Sequence, residues 1–362
     1  MKITAISGDV GGQKALIPVL RLMEQREIDF FVIAHRGLEK FFPDKTVSAS
    51  AGQNNSNHEL PDDTDLVIFT TSVKDSFPLE FAKSAKEKGI PVACLLDNWM
   101  NYRKRLEVDG EMLIPDRYFI MDKKAFQGAV KDGIPKEILE ITGHPALTDN
   151  IAELKVFCNN KTLKSSILRE LGVAENKLLL LFVSEPAELD QGSDSSSPSF
   201  RGYTEKTVLQ DLCTILQNHS SNICLALQPH PREDADALNK VWEDCRGKLP
   251  GGILKISGRQ AVAAADGVCG MASILLYEAW LTGKPVISLQ PDVLKEDLRQ
   301  LFADRKGIIT LLDNAGWDNK ISEWLSMIGK NTEILENSDM QLHENAADNI
   351  IKSMKYVSGC TN

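Results

Sequence analysis

The sequence predicts an α/β protein of two domains, each a parallel sheet with helices on both faces. Three observations predict it. Short apolar runs, each ended by turn residues, alternate with segments of helical periodicity. The runs are apolar almost without interruption, as strands covered on both faces are. The same plan occurs twice along 362 residues, a length too great for one comfortable core.

The first set of strands is expected over Lys2–Ser7, Phe30–Ala34, Leu66–Thr70, Val92–Leu96 and Arg117–Met121. Helical patterns such as Gln13–Gln25 and Leu79–Lys88 fall between them. The second set is Leu178–Val183, Ile223–Leu227, Gly252–Ile256, Gly267–Cys269, Pro285–Ser288 and Ile308–Thr310. Its helices are expected over Glu205–Gln217, Asp234–Cys245, Ile274–Thr282 and Leu294–Leu301, and helical segments near Trp317–Ile328 and Ala346–Met354 follow. A junction near 145–162 divides an N-terminal domain, 1–155, from a C-terminal domain, 156–335, with a last helical segment over 336–362. One stretch breaks the rhythm. Leu189–Gly202 reads LDQGSDSSSPSFRG, either a disordered surface excursion or a mobile flap.

Composition narrows the function. A formal net charge of -10 gives no electrostatic pull toward nucleic acid. The local run Arg103-Lys104-Arg105 reads as a solvated helix face or as part of a basic cleft. Seven cysteines without CxxC spacing fit buried, reduced thiols and no zinc site, so no metal and no cofactor are expected. The N-terminus does not read as a signal peptide, and no stretch approaches a membrane span. A cytoplasmic protein with at most peripheral membrane contact is therefore expected. The oligomeric state is not legible.

Five segments carry candidate chemistry. In SGDVGGQKA, Gly8, Gly11 and Gly12 allow close approach of a ligand to the backbone where a strand feeds a helix. Asp9 there either caps the helix or faces a ligand from the strand's carboxyl end. In LLDNWMNYRKRL, Asp97, Asn98, Tyr102 and Arg103 follow an apolar strand and suit a polyhydroxylated group, or else form a cap and one core aromatic. Gly143-His144-Pro145 is a stiff turn at the junction, placing His144 near the cleft. In LALQPHPRED, two prolines bracket His230, whose imidazole could donate to phosphate while Arg232 adds charge. In GVCGMASILLYEAW, Gly270 opens a small-residue turn and Ser273 caps a helix whose start suits phosphate. Glu278 on that helix could accept from two ribose hydroxyls. Ser184, at the end of the Leu178–Val183 strand, belongs to the same group.

With these segments the chain resembles the GT-B glycosyltransferase superfamily, through SGDVGG, QPHPRE and SILLYEAWLTGKP. The last two look like the donor-binding half of bacterial surface-polysaccharide enzymes: CMP-sugar transferases, CDP-glycerol transferases and the related UDP-N-acetylglucosamine 2-epimerases. The resemblance implies two Rossmann-like domains facing across a cleft, with a C-terminal helix returning to the first. It implies a nucleotide-sugar donor held by His230 and Ser273, with Glu278 on the ribose. The expectation that follows is an inverting, metal-independent glycosyltransferase for surface polysaccharide or glycan synthesis. Asp9, or else Asp97, would deprotonate a glycan or lipid-linked acceptor. A UDP-sugar 2-epimerase or hydrolase of the same fold is the alternative, and a non-catalytic nucleotide-sugar-binding protein is another. The first-loop Arg and Asp of the epimerases are not evident, and Gly270 stands where a retaining transferase would place a second glutamate.

Overall fold

The structure is a computed structural model that describes residues 1–48, 60–61, 63–73, 75–108, 110–295, 302, 305–329 and 338–359. The chain divides into two compact units, Met1–Asp149 with Ser338–Asn362, and Asn150–Asn337.

The first unit runs β1 (Ile3–Ile6), α1 (Val10–Gln25), β2 (Phe30–Ile33), β3 (Thr46–Val47), β4 (Leu66–Thr70), α2 (Phe77–Glu87) and β5 (Val92–Leu95). A two-stranded hairpin follows, β6 (Glu107–Val108) with β7 (Glu111–Met112), then β8 (Arg117–Ile120), α3 (Lys123–Lys131) and β9 (Leu139–Ile141). Its seven-stranded sheet has the order β3-β2-β1-β4-β5-β8-β9, with every pairing parallel. β1, β4 and β5 are buried along their whole length, which is why they read as unbroken apolar runs.

The helix α4 (Ala146–Cys158) crosses the division between the units. The second unit continues with α5 (Leu163–Glu170), β10 (Leu178–Val183), α6 (Ala187–Gln191), α7 (Glu205–Leu216), β11 (Ile223–Gln228) and α8 (Ala235–Cys245). Then come β12 (Gly251–Ile253), α9 (Gly258–Ala264), β13 (Gly267–Gly270), α10 (Ile274–Leu281), β14 (Val286–Leu289), β15 (Ile308–Leu311) and α11 (Trp317–Met327). The six-stranded parallel sheet has the order β12-β11-β10-β13-β14-β15. α10 has a nearly continuous apolar sequence because its residues 276–279 and 281 are all buried. The helix expected over Leu294–Leu301 lies, from residue 296 on, outside the described residues; Leu294 and Lys295 are not helical.

The chain then returns to the first unit with α12 (Ser338–Glu344) and α13 (Ala346–Val357). α13 is amphipathic, and Ala347, Ile350, Ile351 and Met354 enter the same core as Leu16, Leu20 and Met23 of α1. Both units therefore have the doubly wound plan, two Rossmann-like folds with a last helix on the first.

The stretch Leu189–Gly202 is largely exposed but has local structure at both ends. It starts inside α6, turns at Gly192, and carries an Asx turn in which Asp194 accepts from the amide and hydroxyl of Ser196 at 2.9 and 2.7 Å. Its far end is tied down: Arg201 is buried, and its carbonyl accepts from the Leu294 amide at 2.8 Å.

Candidate functional site

In an open parallel sheet, ligands gather at the carboxyl ends of strands where the strand order reverses direction. In the first unit that point lies between β1 and β4. The chain leaves β1 through Ser7, whose hydroxyl accepts from Thr70 at 3.0 Å and donates to the Asp9 carbonyl at 3.1 Å. Asp9 takes the capping role: its side chain accepts from the Gly12 amide at 2.9 Å and starts α1. The glycines have separate reasons. A side chain at Gly8 would press on the backbone of Thr71 and Ser72, and one at Gly12 would collide with Thr70. One at Gly11 would collide with a carboxylate oxygen of Asp97, so Asp97 points at the start of α1.

Asp97 is the strongest chemical group of this unit. It follows β5, is nearly buried, and pairs with the equally buried Arg105 at 2.7 Å. Burial pushes its carboxyl up to about 6, against the pull of Arg105, and Asp9 adds to the rise. Arg105 also donates to the Thr71 carbonyl at 3.1 Å. The basic run is thus split. Arg105 turns inward, whereas Arg103 stays exposed and pairs with Glu107 at 2.9 Å.

Beneath Asp97 the architecture is structural. The Trp99 indole donates to Asp122 at 2.8 Å, and the Tyr102 hydroxyl donates to the Trp99 carbonyl at 2.8 Å. Both rings are buried, so Tyr102 packs rather than presenting itself to a ligand; Asn98 is half-buried. His144 lies against Trp99 with ring centroids 5.7 Å apart, and its Nε2 is 3.1 Å from the Asp97 carbonyl. Burial drives the imidazole down to about 4, so it stays neutral at working pH. The amide of His144 donates to His343 of α12 at 2.9 Å, which ties this turn to the returning C-terminal segment.

In the second unit the reversal lies between β10 and β13. Ser184, buried at the tip of β10, donates to Glu233 at 2.6 Å, and Glu233 also accepts the His230 amide at 2.5 Å. His230 Nδ1 accepts from the Arg232 amide at 3.2 Å. A ring nitrogen that accepts carries no proton, so in the neutral ring the proton sits on Nε2, available to a phosphate. Burial and the nearby Arg232 lower its basicity. Arg232 itself turns outward and grips Asp190 with two bonds of 2.7 Å.

Across the reversal, Ser273 caps α10 by accepting from the Leu275 amide at 3.3 Å. Gly270 is held by packing, since a Cβ would press on the Val183 carbonyl and on Leu276. Glu278 is almost wholly buried. Its oxygens accept from Arg259 at 2.9 and 3.2 Å and from Asn150 at 2.7 Å. It is not an exposed helix glutamate; it pairs with Arg259, which also reaches Glu153 at 3.0 Å.

The group missed by sequence reasoning is Glu185, one residue beyond Ser184. One oxygen accepts from the Ala272 amide at 2.5 Å and the other from Arg201 at 2.9 Å. The rule that singled out Asp97, a carboxylate just past a buried strand, applies equally to Glu185. Its partner Arg201 lay in a stretch that read as solvent-exposed loop. Among the described residues, no cluster of His, Cys, Asp and Glu is arranged to hold a metal ion, and no helix is long and apolar enough to cross a membrane.

No family model matches the chain, and no curated protein matches it. Solved structures do. The UDP-GlcNAc 2-epimerase of Methanocaldococcus jannaschii is similar at a TM-score of 0.65 and 15% identity, covering 98% of this chain and 100% of that one. The UDP-GlcNAc 2-epimerase of Neisseria meningitidis, bound to UDP-GlcNAc, matches at 0.62 and 11%, covering 98% and 100%. S. aureus MnaA with UDP matches at 0.61 and 11%, covering 100% and 98%. These likenesses overturn the expectation of an inverting glycosyltransferase, because they run to epimerases over the full length of both chains. With the acceptor sugar gone, the acceptor-deprotonating role given to Asp9 or Asp97 goes too. What the chain shares with these enzymes is the GT-B-like fold of two Rossmann-like domains.

Proposed function

We propose that this protein binds a UDP-sugar and acts on it without a second sugar, as a 2-epimerase or hydrolase. The observation that carries the reading is the full-length likeness to UDP-GlcNAc 2-epimerases, among them structures bound to UDP-GlcNAc or to UDP-GlcNAc and UDP. The second unit supplies the nucleotide side. His230 Nε2 and the start of α10 behind Ser273 offer neutral donors to the diphosphate, which needs no metal in this arrangement.

Within the first unit the candidate proton-transfer group is Asp97. Epimerisation breaks a C–H bond at the inverted carbon and remakes it on the opposite face, so it needs a proton acceptor on one face and a proton donor on the other; Asp97 is the candidate for one of the two. A carboxyl near 6 can serve in either role close to neutral pH, help worth about 10²–10⁴ in rate. In hydrolysis the same group would take a proton from water.

Incubation with UDP-GlcNAc alone, followed by proton NMR, tests this. An epimer, or UDP with free sugar, is the expected product. Binding of UDP without turnover across UDP-sugars would leave the non-catalytic binding reading. Absence of both product and UDP binding would end the proposal.

A further inference from the structure

At the tip of β10 a carboxylate is held between a backbone amide and a guanidinium. Glu185 accepts the Ala272 amide, at the turn that opens α10, and the guanidinium of Arg201. A backbone amide before a helix start and a buried arginine are two of the commonest holders of phosphate. Here one carboxylate occupies both.

The surroundings do not suit a carboxylate well. Glu185 is largely buried, and burial raises its carboxyl despite the offset from Arg201 and from the Ala272 amide. Glu205 adds to that rise, and Glu185 and Glu205 in turn raise Glu233. Three carboxylates therefore lie close enough to raise one another, and of these Glu185 is paired with the buried Arg201. Beside them, the Tyr203 ring lies 5.6 Å from the Arg201 guanidinium, and among the described residues its buried hydroxyl has no hydrogen-bond partner. An oxygen-rich ligand would give that hydroxyl an acceptor. The turn is reachable: Ala272 and Ser273 are half-buried, and Ile274 is exposed.

We propose that Glu185 is a placeholder for a ligand phosphate at this turn. On binding, a nucleoside diphosphate displaces the carboxylate and takes over the Ala272 amide, Arg201 and the Tyr203 hydroxyl. The placeholder keeps Arg201 buried and oriented while the site is empty, and it weakens binding by the energy of the bonds that must be exchanged. The inference rests on the nucleotide reading above and adds to it a residue that opposes the ligand.

Calorimetric titration of the full chain with UDP, and separately with inorganic pyrophosphate, tests it on three proteins. These are the wild type, Glu185→Gln, which removes the charge and keeps the shape, and Glu185→Ala, which vacates the space. Both variants should bind UDP about tenfold more tightly than the wild type, the size of one released charge-assisted bond. Pyrophosphate should show the same order, since the effect lies at the phosphates. Circular dichroism melts identify a variant that has not folded, and the other variant then carries the comparison. If UDP binds the wild type and a folded variant with equal affinity, or the variant more weakly, the placeholder is overturned and the nucleotide reading stands. If none of the three binds UDP or pyrophosphate, both fall.

Discussion

Asp97 and Glu185 are each the first carboxylate beyond a buried strand, and each is set against a buried arginine. For Asp97 the consequence for stability has a definite sign. The folded protein holds its carboxyl near 6, above the ordinary 3.8, so folding disfavours the charged form. That contribution is complete below about pH 4 and is lost as pH rises through 6, an effect of about 3 kcal/mol. Asp97→Asn has no such group to ionise. Urea unfolding of both proteins from pH 3.5 to 8 should show the wild type losing about 3 kcal/mol relative to the variant. A difference flat in pH would show that Asp97 ionises normally. Activity should fall by at least about 10²-fold in the same variant while UDP binding persists; unchanged turnover would remove Asp97 from the chemistry.

Elements explain what single residues cannot. α10 is apolar nearly all round, and its first turn must lie close to β10 because Gly270 has no side chain between them. Gly270→Ala would push the new methyl onto the Val183 carbonyl and Leu276, costing about 1–3 kcal/mol in urea unfolding. Full retention of stability would mean that the two elements have slack. This scale also shows what was legible beforehand. Alternation of apolar runs and helical periods gave all six strands of the second sheet and five of the seven of the first, since a fully buried parallel strand has no polar face to disguise it; the short edge strands β3 and β9 were missed. Asp9 was readable both as a cap and as a ligand group, and only the Gly12 amide decides for the cap. Glu278 looked open because its partners, Asn150 and Arg259, are 128 and 19 residues away in sequence. Arg201 was invisible because serine, glycine and aspartate around it announce a loop and say nothing of its burial.

At the scale of the whole molecule, the first unit is assembled from two distant pieces of chain. Ile350, Ile351 and Met354 of α13 fill the groove beside Leu16 and Leu20 of α1. Met354→Ala should cost the first unit about 2–5 kcal/mol. Hydrogen exchange should show the loss in β1, α1 and β2 and leave the β10–β13 region protected. Loss spread evenly over both units would contradict the division. The converse is expected of the ligand: UDP should slow exchange at 184–201, 228–233 and 271–274 first, where its phosphate donors lie.

The discontinuous first unit also bears on synthesis. A ribosome delivers α1 and its neighbouring strands early, but the helix that covers them emerges only after the entire second unit has been made. Until then the apolar flank of α1 has no lid of its own. During that delay the nascent chain presents a greasy furrow to the cell, so its yield should depend on chaperones that shield such surfaces more than on the speed at which either sheet forms.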